Sequence, residues 1–303
     1  MPANPTSLLC YRNWCAEYGR IASGSALFET AAPLSNALTY QAGQLAILAD
    51  TSTTEATLSI EVGAEGTSSN SIGRPVGMVA LVNTNVILDP SDAAAISVTL
   101  TDEDGGTVTC NAPAVTLHGS GEAMQTIVFD VGNDGTGGGN LSAIVLVTVN
   151  IGAIFGSRDP WSGAISVEPF QVGTIVAGPA WRPSRGIRLA GAAQGIGDNS
   201  PRVRSIGETL WAAPQTRMRT MSFELSLPES EIEAEPPLCG LRQLAEWCGV
   251  SRPLIVVPHQ ITDQYAARQS VYGYLEDVPA WPAIDKSGAG IEHRVQLTIR
   301  ESK

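Results

Sequence analysis

Charge is scarce in this sequence, and positive charge is scarcest. Only 16% of the 303 residues are charged, with 18 Lys and Arg against 30 Asp and Glu. Residues 1–177 hold four Arg, no Lys and 16 acids, a net of −12, whereas residues 178–303 balance to zero. An acidic first part opposes nucleic-acid binding, because phosphate contacts need cationic side chains. Such a surface serves solubility, or complements a basic neighbour. Ligating residues are few as well. There are three His, and the five Cys (Cys10, Cys15, Cys110, Cys239, Cys248) form no Cys-x-x-Cys pair. A zinc site would lack its usual spacing, so no metal or cofactor is expected. The thiols are expected to be reduced and mostly buried, with a Cys10–Cys15 bridge left open. Long apolar runs are missing too. Leu141–Phe155 is broken by Thr148, Asn150 and Gly152 and is too short for a membrane helix, so membrane insertion is not expected. The opening Met-Pro-Ala-Asn-Pro-Thr carries no basic segment followed by an apolar one, so a secretory signal is not expected.

What is abundant is the strand pattern. Hydrophobic residues reach 43%, with 31 Gly and 19 Pro, a composition that favours short strands joined by turns. Apolar and polar residues alternate strictly over Ala56–Val62, and again at Ile96, Val98 and Leu100. Asp104-Gly105-Gly106 then turns the chain into Thr107–Cys110, a hairpin signal. Ile127, Phe129 and Val131 face one way, and Ala143–Val149 is apolar on both faces, which predicts a central strand covered on both sides. The charge split near residue 177 marks a boundary between two domains, 1–177 and 178–303.

In the second part, a Gly-, Pro- and Arg-rich excursion is expected from Ile187 to about Gly207. Strands are expected at Phe223–Leu227, Leu254–Val257, Val271–Leu275 and Val295–Ile299. Leu238, Leu241, Leu244 and Trp247/Cys248 recur at helical spacing, with Gly249 as a stop, which predicts one short helix near 238–248. Glu229, Glu231, Glu233 and Glu235 precede it and suit its N-terminal dipole.

No catalytic arrangement stands out, and the chain reads as a non-enzyme. His118-Gly119-Ser120-Gly121 lacks the strand-to-helix setting of a nucleophile elbow and reads as a turn. The loop Asn133–Asn140 is Gly-rich without the Lys-Ser/Thr of a phosphate loop. Asp130, Asn133 and Asp134 offer oxygens suited to Ca²⁺ but match no calcium motif. Asp102-Glu103-Asp104 reads as a solvated hairpin tip. Of six tryptophans, Trp247 belongs to the helix core. Trp161, Trp181, Trp211 and Trp281, with Arg182 and Arg185, are candidates for an interface or ligand platform, because Trp and Arg are over-represented there. Packing within the chain and stacking on a sugar are the other readings of these residues.

The order of elements in the second part resembles that of distal-tail and minor tail proteins of long-tailed bacteriophages. It comprises Arg217–Leu225, an acidic stretch, the helix, Arg252–Pro258, the Tyr272-Gly273-Tyr274 strand and the closing Thr298-Ile299-Arg300-Glu301. Val79–Asn85, before a set of alternating strands, is similar to the jelly-roll, galactose-binding-like domains of tail-tip proteins. The resemblance implies a mainly β chain: an N-terminal jelly-roll β-sandwich over 1–177, and a small C-terminal β-sandwich with one short helix over 178–303. It also implies a virion tail location, synthesis in the host cytoplasm and a trimeric or hexameric ring. The implied contacts are with tube, hub and tape-measure proteins. A host surface glycan is the alternative partner, and no catalytic residue is carried over.

Overall fold

The computed structural model describes residues 7–23, 25–49, 56–63, 73–87, 96–111, 125–131, 140–152, 154–158, 165–197, 202–204, 210–212, 218–234, 239–258, 270–285 and 291–302. Strands are numbered in chain order. A seven-stranded antiparallel sheet runs β1 (Leu8–Cys10), β20 (Leu254–Val257), β21 (Val271–Leu275), β23 (Glu292–Glu301), β19 (Met218–Pro228) and β16 (Ile187–Gly197), with β22 (Ala283–Asp285) also paired to β23. A three-stranded sheet runs β10 (Gln125–Asp130), β6 (Met78–Thr84) and β15 (Thr174–Gly178). A six-stranded sheet runs β2 (Arg20–Ile21), β4 (Ala56–Glu61), β11 (Leu141–Ile151), β8 (Ile96–Asp102) and β9 (Thr107–Asn111), with β5 (Arg74–Val76) also on β11. Smaller sheets join β13 (Ile165–Val167), β12 (Ile154–Arg158) and β7 (Val86–Ile87); β14 (Gln171–Val172) and β3 (Ala46–Ile47); and β17 (Arg202–Arg204) and β18 (Leu210–Ala212). The helices are short: α1 (Trp14–Tyr18), α2 (Glu229–Ile232), α3 (Leu241–Cys248) and a 3₁₀ turn at Leu34–Leu38. The chain is mainly β, as its composition requires.

Side-chain alternation stacks these sheets into layers. On β6, Val79 and Leu81 face one way, and Met78, Ala80 and Val82 the other. The first set joins Ile127, Phe129 and Ile175 against Leu58, Ile60, Val98, Leu100, Val147 and Val149 of the six-stranded sheet. The second set joins Val128 and Val176 against Leu8, Cys10, Ile255, Val257 and Tyr272 of the seven-stranded sheet. The far face of that sheet carries Leu9, Phe223, Leu225, Val256, Val295 and Leu297, which pack under Leu241, Leu244 and Cys248 of α3. The order is therefore helix, sheet, sheet, sheet. The three-stranded sheet is the inner layer, and β1, from the start of the chain, pairs with β20 near its end.

Three expectations need correction. The strand covered on both faces is β6, not Ala143–Val149: on β11 Ile144, Val147 and Val149 are buried, while Val145 and Leu146 are only half-buried. A register shift between Ile144 and Leu146, next to Ala143 at φ 61°, breaks the apolar run into two faces. The excursion from Ile187 is a strand through Gly197, because β19 offers a full pairing edge that overrides the weak propensity of Gly and Ala. The acids before α3 do not serve its dipole. Glu229 and Glu231 belong to α2, a separate helix, and Glu233 caps it and pairs with Arg242.

The hairpin at Asp102–Gly106 forms as its sequence predicts. Asp102 Oδ1 accepts from the N–H groups of Asp104 (3.0 Å) and Gly106 (2.7 Å), and Gly105 takes φ 84°. The glycine of the Tyr-Gly-Tyr strand has a steric cause. A Cβ on Gly273 would lie 2.1 Å from the Arg300 carbonyl oxygen of the paired β23.

Candidate functional site

The residues marked as a platform are largely engaged within the chain. Trp181 is 4% exposed, packs in the core beneath α3, and exchanges backbone hydrogen bonds with Leu9. Arg182 forms a two-pronged ion pair with Asp130, which also removes that carboxylate from the Ca²⁺ reading. Arg185 pairs with Glu292. Trp281 packs against the same core as Trp181, and its carbonyl accepts from His293 Nδ1 at 2.9 Å. The structure thus brings Arg185 and Trp281 to the start of β23, and Trp181 and Arg182 to the β1 side. Trp211 lies on β18 opposite Val203. Trp161, His118–Gly121 and Asn133–Asp134 lie outside the described residues.

His293 lies between two acceptors. Its Nε2 is 2.6 Å from Glu229 Oε2, and Nδ1 faces the Trp281 carbonyl. Both nitrogens must be protonated to donate, so the imidazolium is the form that fits. The hydrogen bond to Glu229 raises its pKa above the usual histidine value. A raised folded-state pKa gives stability that is fully present below about 6.5 and lost as pH rises through the folded value. The melting temperature is therefore expected to fall across that window in the wild type. In His293→Gln this component should vanish; an unchanged pH profile would contradict it.

The sequence reading missed the main charged cluster. Arg12 follows β1, and its guanidinium carbon lies 4.5 Å from the ring centroid of Trp14 and 3.3 Å from that of Trp247. Arg252, just beyond α3, covers Trp247 at 4.1 Å. Arg74 of β5 lies 5.2 Å from Trp14 and 3.9 Å from Tyr18. The result is a ladder, Arg252–Trp247–Arg12–Trp14–Arg74–Tyr18, in which cations and rings alternate. It ties α3 of the second part to α1 and β5 of the first. Each contact contributes about 0.5–2 kcal/mol according to its desolvation.

Local chemistry fixes the ladder. Asn13 caps α1 by accepting from Cys15 N at 3.0 Å, and its Nδ2 donates to the Ile175 carbonyl. Trp14 Nε1 donates to the Pro75 carbonyl at 2.8 Å. Tyr11 Oη donates to Gln243 on α3, and Tyr272 Oη to the Tyr40 carbonyl. Glu17 accepts from Arg12 at 3.2 Å and from Tyr40 Oη at 3.2 Å. Gly178 is required beneath this segment, since a Cβ there would lie 2.1 Å from the Arg12 carbonyl oxygen. Trp247 is half-buried between two arginines rather than inside the helix core. The available sequence signals were Asn13 before Trp14 and Tyr18 at helical spacing, and the rarity of Arg in residues 1–177.

All five cysteines are free thiols, so Cys10 and Cys15 are not bridged. They serve different layers, Cys10 against the seven-stranded sheet and Cys15 against the six-stranded one. Burial pushes Cys15 and Cys248 up to about 12, which keeps both protonated and unreactive. Among the described residues no group of three or more His, Cys, Asp or Glu is placed to hold a metal ion, and no helix is long and apolar enough to cross a membrane.

No family model matches this chain, and no curated protein matches it. The functional reading rests on the chain's own geometry and on the order of its elements.

Proposed function

We propose that this chain is a structural subunit of the tail tip of a long-tailed bacteriophage. It joins tail tube, hub and tape measure through subunit contacts, is made in the host cytoplasm and carries no catalytic activity. In this reading residues 1–177 are a galactose-binding-like jelly roll and residues 178–303 a small sandwich. The antiparallel sheets packed face to face support both.

The observation that carries the proposal is a ribbon. β23 accompanies β19 only from Thr220 to Pro228, but β16 continues to pair with β19 as far as Gly197 opposite Met218. Beyond them β17 and β18 pair in the same antiparallel sense, with Arg202 opposite Ala212 and Arg204 opposite Leu210. Among the described residues this outer stretch has no third strand. A two-stranded ribbon is marginal in water unless something covers it, and a neighbouring subunit would supply that cover. Arg202, Arg204 and Trp211 are of the types that dominate interface hot spots.

The test is to replace residues 198–217 by Asn-Gly, which closes the paired Gly197 and Met218 with a two-residue turn. Sedimentation velocity is expected to show assembly by the full chain and a folded monomer for the shortened one. Assembly unchanged by the shortening would overturn the role of the ribbon.

A further inference from the structure

The positive charge of residues 1–177 is concentrated at one place. Two of its four arginines, Arg12 and Arg74, stand in the ladder, and Arg252 joins them from the second part. Glu17 neutralises Arg12. Among the described residues neither Arg74 nor Arg252 has a carboxylate within ion-pair distance. The ladder also lacks acceptors. The buried side-chain nitrogens without a hydrogen-bond partner among the described residues are Arg12 Nε, Arg74 Nε and Trp247 Nε1, all three of them in the ladder. Stacking on Tyr18 and Trp247 holds the Arg74 and Arg252 guanidiniums in place, so less side-chain freedom is lost when they bind an anion. Tyr18 ends the ladder at 40% exposed, and Ile21, three residues on, is 47% exposed.

We propose that the outer rim of the ladder, Tyr18, Arg74 and Arg252, is a subunit contact that receives carboxylates of a second copy of this chain. The inference rests on the assembly reading above and assigns it a second surface, separate from the ribbon. Charge complementarity selects the occupant. The chain carries 30 acids against 18 basic residues, and Glu103 and Asp104 stand exposed on the β8–β9 turn. Two copies at a net charge of −12 each repel one another except where such a strip meets acids. A nucleic acid or other dense polyanion would meet the same repulsion along its whole length, with few cations to offset it. Arg, Tyr and Trp beside an exposed aliphatic residue have the composition of an interface core.

The experiment is sedimentation velocity on the full chain carrying Arg74→Gln/Arg252→Gln, Arg74→Lys/Arg252→Lys or Arg74→Glu/Arg252→Glu, with thermal melts to establish folding. The Gln pair is expected to weaken self-association at least about tenfold, and the Glu pair to abolish it. The Lys pair should restore only part, since an ammonium lacks the planar fork. If the Glu pair does not fold, the Gln pair decides. Self-association within about twofold of wild type in a folded Gln pair would overturn this contact and leave the assembly reading standing; a monomeric wild type would sink both.

Discussion

Replacing Arg12 by Ala is expected to destabilise the protein by about 3 kcal/mol, a large share of the roughly 5–15 kcal/mol that holds a typical domain together. The substitution removes the stack on Trp14 and Trp247 and leaves Glu17, whose side chain is 9% exposed, with only the Tyr40 hydroxyl. A mostly buried carboxylate deprived of its cation accounts for most of the loss. Arg12→Lys keeps the charge without the planar face and should fall between the two. Urea unfolding is the measurement, with the midpoint expected to drop at constant slope. A change below about 0.5 kcal/mol would mean that the ladder does not hold α3 against α1. Because the inner layer is shared by both parts, a single transition is expected throughout.

Phe129→Ala is expected to cost about 3–5 kcal/mol. Phe129 is 1% exposed, lies opposite Val79 in the inner sheet, and fills the space facing the six-stranded sheet. A layer packed on both faces has little freedom to collapse into the space left behind, so the loss should exceed the transfer term alone. The companion substitutions Val147→Ala and Val145→Ala measure the two faces of β11. The first removes a buried side chain and the second a half-buried one, so the first should cost clearly more. Equal losses would restore the view of β11 as doubly covered. A Phe129→Ala loss under about 1 kcal/mol would contradict the inner layer itself.

Much of the secondary structure was legible because it is periodic. The alternation in Ala56–Glu61, the Asp-Gly-Gly turn after β8 and the spacing Leu241, Leu244, Cys248 each carry their own geometry. What lay beyond reach was tertiary. Leu8–Cys10 is three apolar residues, and nothing local shows that they pair with Leu254–Val257. The Gly- and Ala-rich β16 has no strand signal until β19 supplies its partner. The choice between β6 and β11 as the inner strand depends on a register shift beside Ala143 that periodicity cannot register. The ladder shows the same limit. Its six residues come from four separate segments, and only Trp14 and Tyr18 share an element. Trp181 attracted attention by its Arg and Pro neighbours, yet a bridge to Leu9 takes it into the core.

These placements shift the functional weight from the loop tryptophans to two surfaces, the β17–β18 ribbon and the rim of the ladder. Both are suited to holding subunits together. The most direct measurement is electron microscopy of the purified full chain. The account predicts closed rings in which ribbon and ladder rim both lie at subunit boundaries. A field of single, unassociated subunits at every concentration would contradict it.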